Sequence, residues 1–190
     1  MSFEVTHIRD VTIALKNILL KIPGMTVTLD LPNEATAGMG TALFLYAVSE
    51  NKILRNQEFG IKSSNQLVPP PIIVDLYYLI VPYSSGGPPS DIARENEQMI
   101  LTAIIRTLYD NSIISSPQLS DSLVETGNTE LKVIPNELSL DQMNYLWGML
   151  RNASYRVCLS YQVTPLKIPS TRVLDVTRVI SQEIDFVDKG

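Results

Sequence analysis

The chain has 190 residues, which suits one domain and is long enough to bury a substantial core. Apolar residues make up 45% and charged residues 18%, so the composition is globular with little charge to hold neighbours apart. A net charge of −5 without any Lys/Arg cluster excludes a phosphate-tracking surface, and a single cysteine, Cys158, beside a single histidine, His7, excludes an internal disulfide and a four-ligand His/Cys zinc site.

The N-terminus, MSFEVTHIRDVTIALKNILLKIPG, lacks a basic leader and a small-residue cleavage site, so neither a signal peptide nor a membrane span is expected there. Ile8, Val11, Leu15, Ile18, Leu19 and Ile22 recur at helical spacing, with Arg9, Asp10, Lys16, Asn17 and Lys21 opposite. This predicts an amphipathic helix ended by Pro23-Gly24.

Residues 25–31 alternate apolar and polar side chains and predict a strand with one wet face. After a flexible connection, residues 42–48 form an apolar run that predicts a second strand. Residues 51–71 carry turn formers and little periodicity, which predicts a long loop.

The segment PPPIIVDLYYLIVPY then reads as a strand buried on both faces, opened by Pro69-Pro70-Pro71 and stopped by Pro82 and the glycines behind it. Only Asp75 interrupts its apolar set. A loop follows, then a helix from about Asp91 with Ser90 as its cap. Ile92, Met99, Ile100, Ala103, Ile104, Leu108 and Tyr109 share its inner face.

Residues 112–129 are rich in serine around a short apolar patch, Leu119 to Val124, and residues 131–134 suggest a short strand. Ser139 and Gln142 make a capping box that opens a helix ending near Leu150. Residues 155–166 alternate clearly and predict a half-exposed strand. The tail keeps that rhythm: Leu174, Val176, Ile180, Ile184 and Phe186 share a parity with Arg178 and Gln182, the pattern of a long terminal strand. The expected fold is therefore α+β: a mixed, mainly antiparallel twisted sheet packed with about three helices in a single domain of residues 1–170, with residues 171–190 as a C-terminal strand or arm.

No catalytic set stands out. His7 is the only base around which a Ser/His/Asp or Cys/His site could form, and Cys158 lies in mid-strand with no basic neighbour to lower its pKa. Asp30, Glu34, Asp75 and Asp141 fall on separate elements without metal-ligand or glycosidase spacing. Asp75, inside an apolar strand, needs a partner, for which Arg55 and Arg156 are available. Gly86-Gly87 lacks the lysine and Ser/Thr of a phosphate loop. Tyr77, Tyr78, Tyr145, Trp147 and Tyr161 serve either as core or as an interface cluster. No catalytic, cofactor-binding or metal residue is assigned, and no cofactor is expected.

Four blocks in order, LFLYAVSENKILRNQEF, PPPIIVDLYYLIVPY, ENEQMILTAIIRTLYDNSII and ELSLDQMNYLWGMLRNASYRVCLSYQVTPLKI, resemble the tail-terminator or cap proteins of extracellular contractile injection systems. The resemblance covers nearly all of residues 5–170. It implies a structural protein, not an enzyme, that forms a sixfold ring on the inner tube, ends tube polymerisation and attaches the last sheath layer. Implied partners are further copies of the chain, the inner tube protein and the sheath protein, with no nucleic acid and no membrane insertion. Assembly in the cytoplasm, followed by release within an extracellular particle, is the implied localisation. The alternatives are a baseplate or tube-initiating adaptor of the same particle and, from another class, a small hydrolase built on His7, Asp75 or the Gly86 loop. Truncation after Ser170 is expected to weaken sheath attachment while leaving the monomer folded, since the tail pattern suits strand donation.

Overall fold

The computed structural model describes residues 7–30, 38–84, 90–150 and 155–176. Helix α1, His7–Leu19, buries Val11, Ala14, Leu15, Ile18 and Leu19, the apolar stripe that its i, i+3, i+4 spacing dictates. The chain leaves it through Pro23 and Gly24, whose φ of 72° is a left-handed conformation that suits glycine. Strand β1, Thr26–Thr28, then lies parallel to β2, Met39–Glu50, with Thr26 beside Gly40.

The small strands β3, Gly60–Ser63, and β4, Gln66–Val68, form a hairpin where residues 51–71 were expected to be loop. The two strands are only four and three residues long and pair across Ser64-Asn65, too short for periodicity to reveal them. Leu67 pairs with Leu174 of the short strand β9, Leu174–Asp175, to make a separate three-stranded sheet ordered β3-β4-β9. The remaining part of the expected terminal strand, residues 177–190, lies outside the described residues, as does the Gly86-Gly87 loop.

Strand β5, Ile72–Ser84, is the centre of the main sheet and runs through Pro82 instead of stopping before it. The register explains why. Ile73 accepts from Asn51 of the β2 side at 2.8 Å, so alternation turns the nitrogens of even-numbered residues toward the other neighbour, β8, Leu159–Ile168. Pairing with β8 ends at Ile80, so the missing N–H of Pro82 costs no ladder bond.

Helix α2, Asp91–Asp110, begins as expected, with the Ser90 hydroxyl accepting from the Ala93 N–H at 3.2 Å. Its buried set is narrower than predicted. Ile100, Ile104 and Leu108 pack inward, whereas Ile92 is 71% exposed and Tyr109 81%. The serine-rich stretch supplies β6, Ile113–Ser115, and a short helix α3, Asp121–Glu125, which makes four helices among the described residues against the expected three or so. Strand β7, Glu130–Pro135, and helix α4, Leu140–Met149, follow, and α4 carries the complete capping box between Ser139 and Gln142.

The main sheet has the order β1-β2-β5-β8-β7-β6 and is antiparallel except at β1-β2, so the fold is α+β with a mixed, mainly antiparallel sheet. Parity along β5 divides its faces. Val74, Leu76, Tyr78 and Ile80 join α1, α2 and α3 in the larger core, while Leu79 and Val81 join Ala42 and Trp147 beneath α4. Tyr78 shows how a polar group enters the larger core. Burial pushes its phenol up to about 12, and its oxygen meets the Thr12 hydroxyl at 2.8 Å.

Candidate functional site

The face of β5 opposite the larger core changes character along its length. Under α4 it is apolar; beyond α4 it carries two hydrogen-bonded groups. In the first, Asn136 donates to the Tyr46 hydroxyl and to the Ser160 hydroxyl, each at 3.0 Å, and the two hydroxyls meet at 3.0 Å. Tyr77 packs beside Tyr46 with ring centroids 6.1 Å apart.

The second group answers the question that Asp75 raised. Asp75 is 7% exposed, and neither Arg55 nor Arg156 reaches it, contrary to expectation. Arg55 pairs with Glu50 at 3.4 Å and Arg156 with Glu97 at 3.0 Å. Asp75 instead accepts from Asn51 Nδ2 at 2.9 Å and from the Thr164 hydroxyl. Neutral donors suffice because they hydrogen-bond the carboxylate where it sits, at the rim of the sheet. Asn51 does more than donate: its Oδ1 accepts from the Ile53 and Leu54 N–H groups at 3.1 and 3.0 Å, which fixes how the chain leaves β2. Asn51 and Thr164 are not legible in the sequence as partners of Asp75, because a lone Asn and a lone Thr carry no pattern.

The remaining candidates are not brought together. His7 is buried with both ring nitrogens unpartnered, while the Ser122 hydroxyl donates to Asp10 at 2.6 Å instead of to an imidazole. Burial lowers the His7 pKa, and the nearby Asp10 carboxylate raises it by less. The folded chain therefore favours neutral His7, and the unfolded chain takes up a proton first as pH falls below about 6.5. Stability from this residue is complete above that value and declines below it. His7→Leu is expected to flatten the fall in stability between pH 7.5 and 5 in denaturant titrations; equal slopes for the two chains would contradict this.

Cys158 lies just ahead of β8, packed against α4, with its thiol donating to Met143 Sδ at 3.4 Å, and burial pushes its pKa up. Asp30 and Asp141 stay on separate elements, and Glu34 falls outside the described residues. Among the described residues, no group of three or more His, Cys, Asp or Glu side chains could hold a metal, and no helix is long and apolar enough to cross a membrane. The aromatic set does not form one cluster, although Tyr78 and Tyr161 stand opposite each other across β5 and β8 in the larger core. Tyr78, Tyr161 and Trp147 are core residues, Tyr77 is half-buried, and Tyr145 is 73% exposed.

Fold and site together define an α+β domain whose buried polar groups act as framework, tying strand ends and loop departures to the sheet. The chain belongs to the Pvc16 N-terminal domain family, which matches residues 10–182. Its fold is similar to two solved structures. One is the PVC sheath/tube terminator of an extracellular contractile injection system in the extended state, at 20% identity and a TM-score of 0.67, covering 98% of this chain and 65% of that one. The other is the tube-terminating cap of the anti-feeding prophage, at 19% identity and a TM-score of 0.67, covering 96% of this chain and 62% of that one. The chain thus spans under two thirds of the length of either. No curated protein sequence matches it.

Proposed function

We propose that the chain is a structural subunit that caps the tube of a contractile injection particle: it forms a ring, of six copies as the family resemblance implies, ends tube growth and holds the last sheath layer. The observation that carries this reading is family membership over residues 10–182 together with a shared fold along 98% of the chain with a sheath/tube terminator. On this reading the chain works by assembly, not by catalysis, and travels in a particle that is built in the cytoplasm and acts outside the cell.

The test is location. In purified particles carrying a tagged chain, electron microscopy should place the tag at the tube end away from the baseplate. A tag at the baseplate end would make the chain an adaptor and overturn the proposal.

A further inference from the structure

The edges of the main sheet are treated unequally. Strands β1 and β6, at its two ends, are three residues each, and short edges offer little to a foreign strand. Where β8 runs past its last pair with β7, at Thr164, the Asn128 side chain takes the place of a strand. Its Oδ1 accepts from the Lys167 N–H at 2.8 Å and its Nδ2 donates to the Lys167 carbonyl at 3.0 Å.

Strand β2 has no such cover. It pairs with β5 along its whole length, but β1 reaches only Gly40, Thr41 and Ala42. Among the described residues, no strand pairs with the outer side of residues 43–50, LFLYAVSE, whose only charge is Glu50. At about 3.4 Å per residue this is roughly 27 Å of open edge. The direction of its bonds follows from Asn51, whose N–H turns inward to Ile73 of β5. By alternation Ser49 also faces β5, and Val48 and Glu50 turn their N–H groups outward. Val48 itself is 47% exposed.

We infer that this edge receives residues 178–186 of a second copy of the chain as an added strand. That segment, RVISQEIDF, has strand length and strand alternation, with Ile180, Ile184 and Phe186 on one parity and Ser181, Glu183 and Asp185 on the other. It follows directly on β9, where the Val176 N–H donates to Asn65 at 2.8 Å, so the chain enters it already extended and anchored. Acceptor and donor are different patches of one chain. The contact is therefore heterologous, and repeated head to tail it closes into a ring when the rotation permits. The inference rests on the proposed self-assembling ring and names the contact that builds it.

Two full-length variants test it. Val48→Pro removes an outward N–H and sets a ring in the path of an incoming strand while leaving the β5 side alone, so the edge is blocked. The double variant Ile180→Pro and Ile184→Pro blocks the donor. By mass photometry the parent should form closed multimers, each variant alone should be a monomer, and an equimolar mixture should yield a two-chain complex that grows no further. Multimers from both variants would overturn the inference and leave the ring reading standing. Two folded variants that stay monomeric when mixed would overturn it in favour of pairing within one chain. If Val48→Pro fails to fold, a fluorescent peptide of residues 177–190 added to the donor-blocked chain decides: binding supports the inference, and none up to about 1 mM overturns it. A parent that stays monomeric on purified tubes would count against the ring reading itself, whichever way the peptide behaves.

Discussion

Asp75→Ala is expected to lower the stability of the chain by about 3 kcal/mol, a fall of roughly 6–12 °C in the thermal midpoint for a chain of this size. The effect comes from what the substitution strands. The Asn51 amide and the Thr164 hydroxyl both aim at Asp75 inside the sheet's rim, and each would be left without its carboxylate. Removing one member of a buried, charge-assisted group costs more than the group contributes, because its partners stay desolvated. Asp75→Asn keeps an acceptor oxygen for Asn51 and should cost less. Thr164→Val should cost less in the Asp75→Ala background than in the parent, since the hydroxyl it removes has already lost its carboxylate and keeps only the 3.4 Å contact from Asn51 Nδ2. A loss under about 1 kcal/mol for Asp75→Ala in denaturant titrations would show that water replaces the carboxylate freely.

Gly40→Val should be comparably damaging, by about 3 kcal/mol, for a steric reason. A Cβ at position 40 would sit 2.2 Å from Thr26 Oγ1, 2.5 Å from the Thr26 carbonyl and 2.7 Å from the Tyr83 hydroxyl. Backbone lies among those atoms, so a side-chain rotation cannot relieve the clash. The same Thr26 hydroxyl donates to the Met39 carbonyl at 2.9 Å and meets Tyr83 at 3.1 Å. Displacing β1 therefore breaks its bonds to both β2 and β5. Amide exchange at residues 26–28 should rise far more than at residues 76–80 in the sheet centre; uniform protection would mean that the strand accommodates the side chain.

The helices were legible because their signals are local. Stripe spacing placed α1, a capping box placed α4, and Ser90 placed the start of α2. The inner face of α2 was read too widely, since periodicity counts every apolar residue near a stripe and cannot see where the sheet beneath it ends. Strand β5 was found from its apolar content, yet its stop was misread at Pro82 because only the neighbour's register says whether a proline nitrogen matters. The hairpin β3-β4 is not legible for a related reason: its strands are only four and three residues long, too short to show alternation, and the strand that flanks β4, β9, lies about a hundred residues on.

The candidate site shows the same division. That Asp75 needed a partner was readable, since a carboxylate in an apolar strand is an anomaly in any sequence. The identity of the partner was not, because charge drew attention to Arg55 and Arg156 while topology delivered Asn51 and Thr164. Open edges are invisible to sequence altogether: residues 43–50 look like any sheet strand until the pairing shows that, among the described residues, one side has no partner strand.

The proposed terminator role is tested most directly by the length of tubes in particles assembled without the chain. If the chain ends tube growth, its loss should replace a narrow length distribution with a broad one, including tubes that outrun their sheaths, and adding back the parent chain should restore the narrow distribution. Tubes of unchanged, uniform length with sheath fully attached would contradict the account.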